Sequence, residues 1–72
     1  PVEHRLVSAT VLHPSAAMAD GYATAITVMG DESGLAMAER QRLPVLLIIR
    51  KKASFEAVSS TAILLFVRTT DG

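Results

Sequence analysis

Residues 5–30 read RLVSATVLHPSAAMADGYATAITVMG, and three residues that punctuate them decide the fold. Pro14 ends one element, Ser15 opens another and Gly30 closes it. From Arg5 to His13, small and β-branched residues alternate with the period of a strand. Val7, Ala9 and Val11 fall on one side, and Leu6, Ser8, Thr10 and Leu12 on the other. His13 precedes a proline, which pushes it towards extended backbone. Ser15 is a natural N-cap for a helix to about Met29, and Gly30 supplies a left-handed stop. No capping box supports that start, because Met18 stands where Glu or Gln would reach back.

Downstream, Asp31-Glu32-Ser33 starts a second, shorter helix, Gly34 to about Arg42, with acids at its positive end. Glu39, Arg40 and Arg42 give it a solvated side. Pro44 closes it, and Val45 to Arg50 (VLLIIR) is a short continuous apolar run that favours a fully buried strand. Lys51-Lys52-Ala53-Ser54 reads as a turn, and Phe55 to Val58 as a short returning strand. In the tail, Ala62 to Val67 is apolar and suits helix or strand. A short helix with the last four residues frayed is expected. The expected order is β-α-α-β-β-(α), which is an α/β fold class.

Seventy-two residues form one domain at most, near the lower limit for a self-sufficient core. Half of them are hydrophobic, the formal net charge is zero and the mean hydropathy is +0.38. That composition suits the inner layers of a larger α/β domain. With Pro1-Val2 leading almost directly into a strand, residues 1–72 are expected to be a piece of a longer protein, poorly stable and self-associating when alone. The lack of cysteine excludes disulfides, thiolate metal sites and thiol nucleophiles. No apolar run approaches membrane-spanning length, and a net charge of zero argues against a nucleic-acid partner.

The helix from Ala16 is apolar nearly all the way round, so burial is expected. Asp20 and Thr24 are nearly its only polar side chains, and four-residue spacing places them on one face, a turn apart. A buried carboxylate is costly without positive compensation. A hard cation such as Mg²⁺, which takes carboxylate and other oxygen ligands, would supply it. Alternatively Asp20 is merely hydrogen-bonded and Thr24 bonds back to the carbonyl a turn earlier. Spacing alone leaves both readings open.

Other residues carry weaker signals. Ser15 either caps the helix or offers its hydroxyl to an anion at the helix start. His4 and His13 could act as acid or base, but neither has a carboxylate partner at a recognisable spacing. His13 lies in the turn leading to Asp20, so proximity to that residue is expected. Tyr22 falls on the opposite face, as a packing residue. Thr27 extends the Asp20 and Thr24 face, for support or for packing. Arg50-Lys51-Lys52 is a solvated turn or a phosphate clamp.

The run SATVLHPSAAMADGYATAITVMGDESGLAMAE resembles the carboxy-terminal signature of the ApbE-like family. These are the FAD:protein FMN transferases, formerly labelled thiamine-biosynthesis lipoproteins. The pattern S-V-T-V is met by Ser8-Ala9-Thr10-Val11, and P-S-A by Pro14-Ser15-Ala16. Ala19 through Ala25 fit A-D-(A/G)-x-(A/S)-T-A, and Gly30 and Gly34 through Glu39 complete the block. Pro1-Val2 matches the x-P-V that follows the family's H-I-x-x-P-x-T-G loop. The likeness is looser through VLLIIRKKASFEAVSS and fades beyond Ser60. Within the block, Ala9 replaces the usual Val, and His13 stands where a small residue is common.

That resemblance implies a piece of a larger α/β, T-fold-like domain. It also implies that Asp20 and Thr24 bind Mg²⁺, together with an upstream backbone carbonyl and the FAD pyrophosphate. FAD would donate FMN to a threonine of a target flavoprotein, with release of AMP. Hydrolysis of FAD to FMN and AMP would use the same metal site. The family setting is the periplasmic side of the inner membrane, with a lipid anchor. No catalytic or flavin-holding residue is assigned within these 72 residues, which are expected to be inactive alone. A non-catalytic flavin-binding or scaffold relative is the competing reading, and an unrelated interaction module is a third.

Overall fold

The structure, a computed structural model, describes residues 5–65. Five elements follow the expected order: β1 (Leu6–Val11), α1 (Ala16–Met29), α2 (Asp31–Gln41), β2 (Val45–Lys51) and β3 (Ser54–Ser59). Residues 61–65 are helical, as expected for the start of the tail. The rest of that tail, Phe66 to Gly72, and His4 lie outside the described residues.

The strands form an antiparallel sheet in the order β1-β2-β3, with α1 packed on β1, α2 on β2 and the helices on each other. Pairing of β1 with β2 runs Val11 to Val45, Ala9 to Leu47 and Ser8 to Ile48, then slips so that Leu6 meets Ile49. The extra residue in that bulge is Val7. A one-residue slip exchanges the faces of every side chain beyond it. Leu6 therefore joins Ala9 and Val11 against the core, and Val7 is 48% exposed, contrary to the expected grouping of Val7 with those two.

The apolar run of β2 does not behave as a strand buried on both faces. Val45, Leu47 and Ile49 are buried under the helices, whereas Leu46 points to the other side and is 36% exposed. Phe55, paired across from Arg50, shares that open face at 66% exposure. α1 is likewise not buried all round. Ile26 alone is fully buried, with Ala19, Tyr22 and Ala23 packed beside it, while Met18, Val28 and Met29 are exposed. Exposed apolar residues thus lie on both the open face of the sheet and the outer side of α1, and such surface favours association. The 72-residue chain alone is expected to self-associate; sedimentation at rising concentration that showed only monomer would contradict this.

Element boundaries shift for local reasons. Gly30 stops α1 at φ 92, but with ψ 172 its backbone is extended rather than left-handed helical. Its N–H donates to the Ile26 carbonyl at 2.9 Å, and its own carbonyl accepts from Gly34 N at 2.8 Å. One glycine thus caps both helices, so α2 begins at Asp31 and takes the acids into its first turn. Arg5 pairs with Asp31 at 3.1 Å, tying the start of β1 to that turn. Arg42 takes the left-handed cap position, φ 55, just past the end of α2. The expected four-residue turn shrinks to Lys52-Ala53, since Lys51 pairs with Ser54 and β3 runs on to Ser59.

Two glycines have opposite reasons to be there. A Cβ on Gly34 would meet Ile26 Cγ2 at 2.7 Å, and Ile26 is fully buried and has nowhere to retreat. Gly34 is what lets α2 approach α1. A Cβ on Gly21 would meet nothing within 4 Å. Gly34→Ala is expected to cost about 1–3 kcal/mol by overpacking. Gly21→Ala should instead stabilise α1 by about 0.5–1 kcal/mol. Urea midpoints that moved the same way for both would contradict this account.

Ser60 closes the fold and had no sequence signal. It is fully buried, accepts a hydrogen bond from Val45 N at 2.9 Å and donates to the Leu43 carbonyl at 2.8 Å. Next to it, Thr61 donates from its N–H and its hydroxyl to Glu39 Oε2, at 2.8 and 3.1 Å. The Glu39 carboxylate so placed sits at the start of the helical segment 61–65, where negative charge is favoured.

Candidate metal centre

The site begins with the start of α1. Ser15, extended at φ −95 and ψ 120, accepts from Met18 N at 3.2 Å and satisfies one orphan amide of the first turn. No acid in that turn assists. From this start the core stripe of Ala19, Tyr22, Ala23 and Ile26 fixes the rotation of the helix. Asp20 and Thr24 lie about 40° apart around the helix axis and away from that stripe. Both are exposed, which corrects the expectation of a buried carboxylate. The desolvation argument for a compensating cation therefore does not apply within the described residues.

What the geometry offers instead is a pair of oxygens free to bind. Among the described residues no side chain or backbone amide pairs with the Asp20 carboxylate. The Thr24 hydroxyl donates to the Asp20 carbonyl at 2.9 Å, the back-bond foreseen as the alternative to metal binding. The two readings are compatible. A hydroxyl can accept twice and donate once, so spending its proton on the backbone leaves the lone pairs available for a neutral-ligand role. One anionic and one neutral oxygen, a turn apart, fit a hard cation. They are not a complete shell: no group of three or more His, Asp or Glu side chains able to hold a metal occurs among the described residues.

Thr27 shares the exposed face but donates to the Ala23 carbonyl at 2.8 Å. His13 is not brought to Asp20. Its ring centroid lies 6.0 Å from that of Tyr22, which stands about 200° around the helix from Asp20. The two rings line a cleft of about 680 Å³ with Arg42 and Pro44. Ser15 serves as the cap rather than reaching out to an anion. In the basic turn, Lys51 pairs with Glu56 at 3.1 Å, both about half exposed, as befits a solvated hairpin end.

A model of the ApbE family matches residues 1–47, which hold β1, both helices and the Asp20 and Thr24 pair. The chain belongs to the ApbE family. The FAD:protein FMN transferases of Vibrio cholerae serotype O1 and Haemophilus influenzae are each 44% identical to it over 62 residues. Those residues are 86% of this chain and 19% and 18% of the two relatives. The solved flavinyl transferase ApbE of Pseudomonas stutzeri, in its apo form, is 40% identical with a TM-score of 0.82. That match covers 88% of this chain and 20% of that one. The flavin transferase ApbE from Vibrio cholerae gives 42% and 0.83, over 90% and 21%. The chain spans about a fifth of the length of the relatives it matches. Its mixed α/β architecture is theirs over that part.

Proposed function

We propose that this chain is the metal-binding segment of an FAD:protein FMN transferase, with Asp20 and Thr24 as its side-chain ligands to Mg²⁺. One observation carries the assignment: an exposed carboxylate with no partner among the described residues stands a turn from a hydroxyl whose proton is already committed. Relatives named as FAD:protein FMN transferases support it. Asp20 contributes the formal charge and Thr24 a neutral oxygen. Mg²⁺ prefers about six oxygens, so the remaining ligands are waters, substrate phosphate oxygens and backbone from outside these residues.

When bound, the cation supplies charge neutralisation at the FAD pyrophosphate and at the AMP oxygen that leaves. The work of this chain is positional. A capped helix, rotated into place by Ile26 and Tyr22, holds two oxygens at a fixed axial spacing, and the Thr24 back-bond removes a rotor from the site. The acceptor is a threonine hydroxyl of a target flavoprotein, which takes FMN as AMP departs. Incubating the full-length protein that carries these residues with FAD, Mg²⁺ and a flavoprotein bearing such a threonine tests the reading. Covalently attached FMN together with AMP is expected; free FMN and AMP in equal amounts would make it a hydrolase.

A further inference from the structure

His13 stands in the turn between β1 and α1, and neither the metal reading nor the core uses its ring. Its Nδ1 accepts a hydrogen bond from the Ser15 backbone N–H at 3.0 Å. That geometry requires Nδ1 to be unprotonated, with the ring proton of the neutral form on Nε2. The bond closes the turn over Pro14, which has no N–H of its own. Ser15 then passes the constraint on, since its hydroxyl is the cap of α1. On its other side the imidazole rests against Tyr22, at 6.0 Å and 39°, and Tyr22 packs on the core. The ring is therefore held between the entry to α1 and the second turn of the same helix, the turn that carries Asp20.

We propose that neutral His13 is a positioning residue, clasping the start of α1 so that Asp20 and Thr24 are presented in register to a divalent cation. The proposal rests on the Mg²⁺ reading above. Protonation of the ring turns Nδ1 from acceptor to donor, facing the Ser15 N–H donor, and the clasp opens. Among the described residues, the titratable or charged groups around the ring are Tyr22 from α1 and Arg42 at the end of α2, which lines the same cleft with Gln41. No carboxylate among the described residues lines the cleft. Metal affinity should fall on acidification as the clasp opens, and a non-titrating substitution at His13 separates that loss from any effect at the ligand Asp20.

The test uses the whole protein, with the Ser15 amide followed by NMR from pH 5 to 8 and Mg²⁺ affinity measured by calorimetry. His13→Asn offers Oδ1 near the place of Nδ1 and cannot titrate; His13→Ala removes the acceptor. In the native protein the Ser15 amide signal should shift with the protonation of His13, and Mg²⁺ affinity should weaken about fivefold on acidification, the worth of one ordinary hydrogen bond. His13→Asn should keep the high-pH amide signal and affinity down to about pH 5.5, and His13→Ala should show the weak affinity throughout. A Ser15 amide indifferent to pH, or equal in the native and Ala proteins, overturns the clasp. An amide that follows the ring while Mg²⁺ affinity stays flat overturns the positioning role. A protein that binds no Mg²⁺ at any pH overturns the metal reading, and the positioning role with it.

Discussion

Asp20→Asn is expected to lower Mg²⁺-dependent release of AMP from FAD by about 10²–10³-fold, the scale seen when one electrostatic support of a developing charge is removed. The change keeps the shape and leaves an amide oxygen, so what disappears is the charge. Asp20 is exposed and its side chain pairs with no group among the described residues, so the variant should unfold at the native urea concentration or close to it. That separation between activity and stability is the informative part. Excess Mg²⁺ should rescue the variant only partly, because an amide oxygen binds the cation more weakly than a carboxylate and fixes it less firmly. If Asp20→Asn retained most of its AMP release, Asp20 would not be a ligand, whatever the family membership suggests.

Thr24→Ala separates the two ligands further. It deletes a neutral oxygen and a back-bond that has no part in the core, and alanine is the better helix former. A milder loss, recovered by raising Mg²⁺, is expected. Thr24→Ser keeps the hydroxyl and should sit near the native value. The opposite order, with Thr24→Ala worse than Asp20→Asn, would place the charge elsewhere.

How much of this was legible in the sequence depends on the range of the interaction. Ser15 and Gly30 act within one turn of chain, and both were readable as the ends of α1. The bulge at Val7 was not, because it depends on how β1 meets Ile48 and Ile49 forty residues away. The even alternation of Val7, Ala9 and Val11 gave no hint of a slip. Apolar pattern also misled for α1 and β2. It reports what a segment is suited to pack against, and the described residues supply a partner for one face of each. The exposed sides of Val28, Leu46 and Phe55 are the difference between those two quantities. For the site, the spacing of Asp20 and Thr24 was enough to place both on one face. The orientation of His13 was not readable, because its ring accepts from the Ser15 N–H two residues on and lies beside Tyr22 rather than Asp20.

Ser60→Ala should be the most costly of the conservative substitutions. In sequence the residue is one of several serines and threonines in a weakly patterned tail, yet it is fully buried with both hydrogen-bonding capacities used. Its hydroxyl meets the chain where α2 hands over to β2, accepting from Val45 N and donating to the Leu43 carbonyl. Its own N–H donates to the Val45 carbonyl at 3.0 Å, so three bonds hold the end of β3 to the start of β2. Alanine keeps the last and removes the other two. Nothing replaces them, since Leu43 and Val45 are themselves buried core residues and water has no easy access. Leaving a buried donor or acceptor unpaired costs about 1–3 kcal/mol each, so a loss of about 2–4 kcal/mol is expected even if the backbone relaxes. Ser54→Ala, at an exposed hairpin position, should change stability by no more than about 0.5 kcal/mol. Urea midpoints measure both, and amide exchange at Val45 identifies the cause, because its protection should drop further than that of Leu47 in the same strand. A Ser60→Ala protein with native stability and a protected Val45 amide would mean that the strand start is held by the sheet alone.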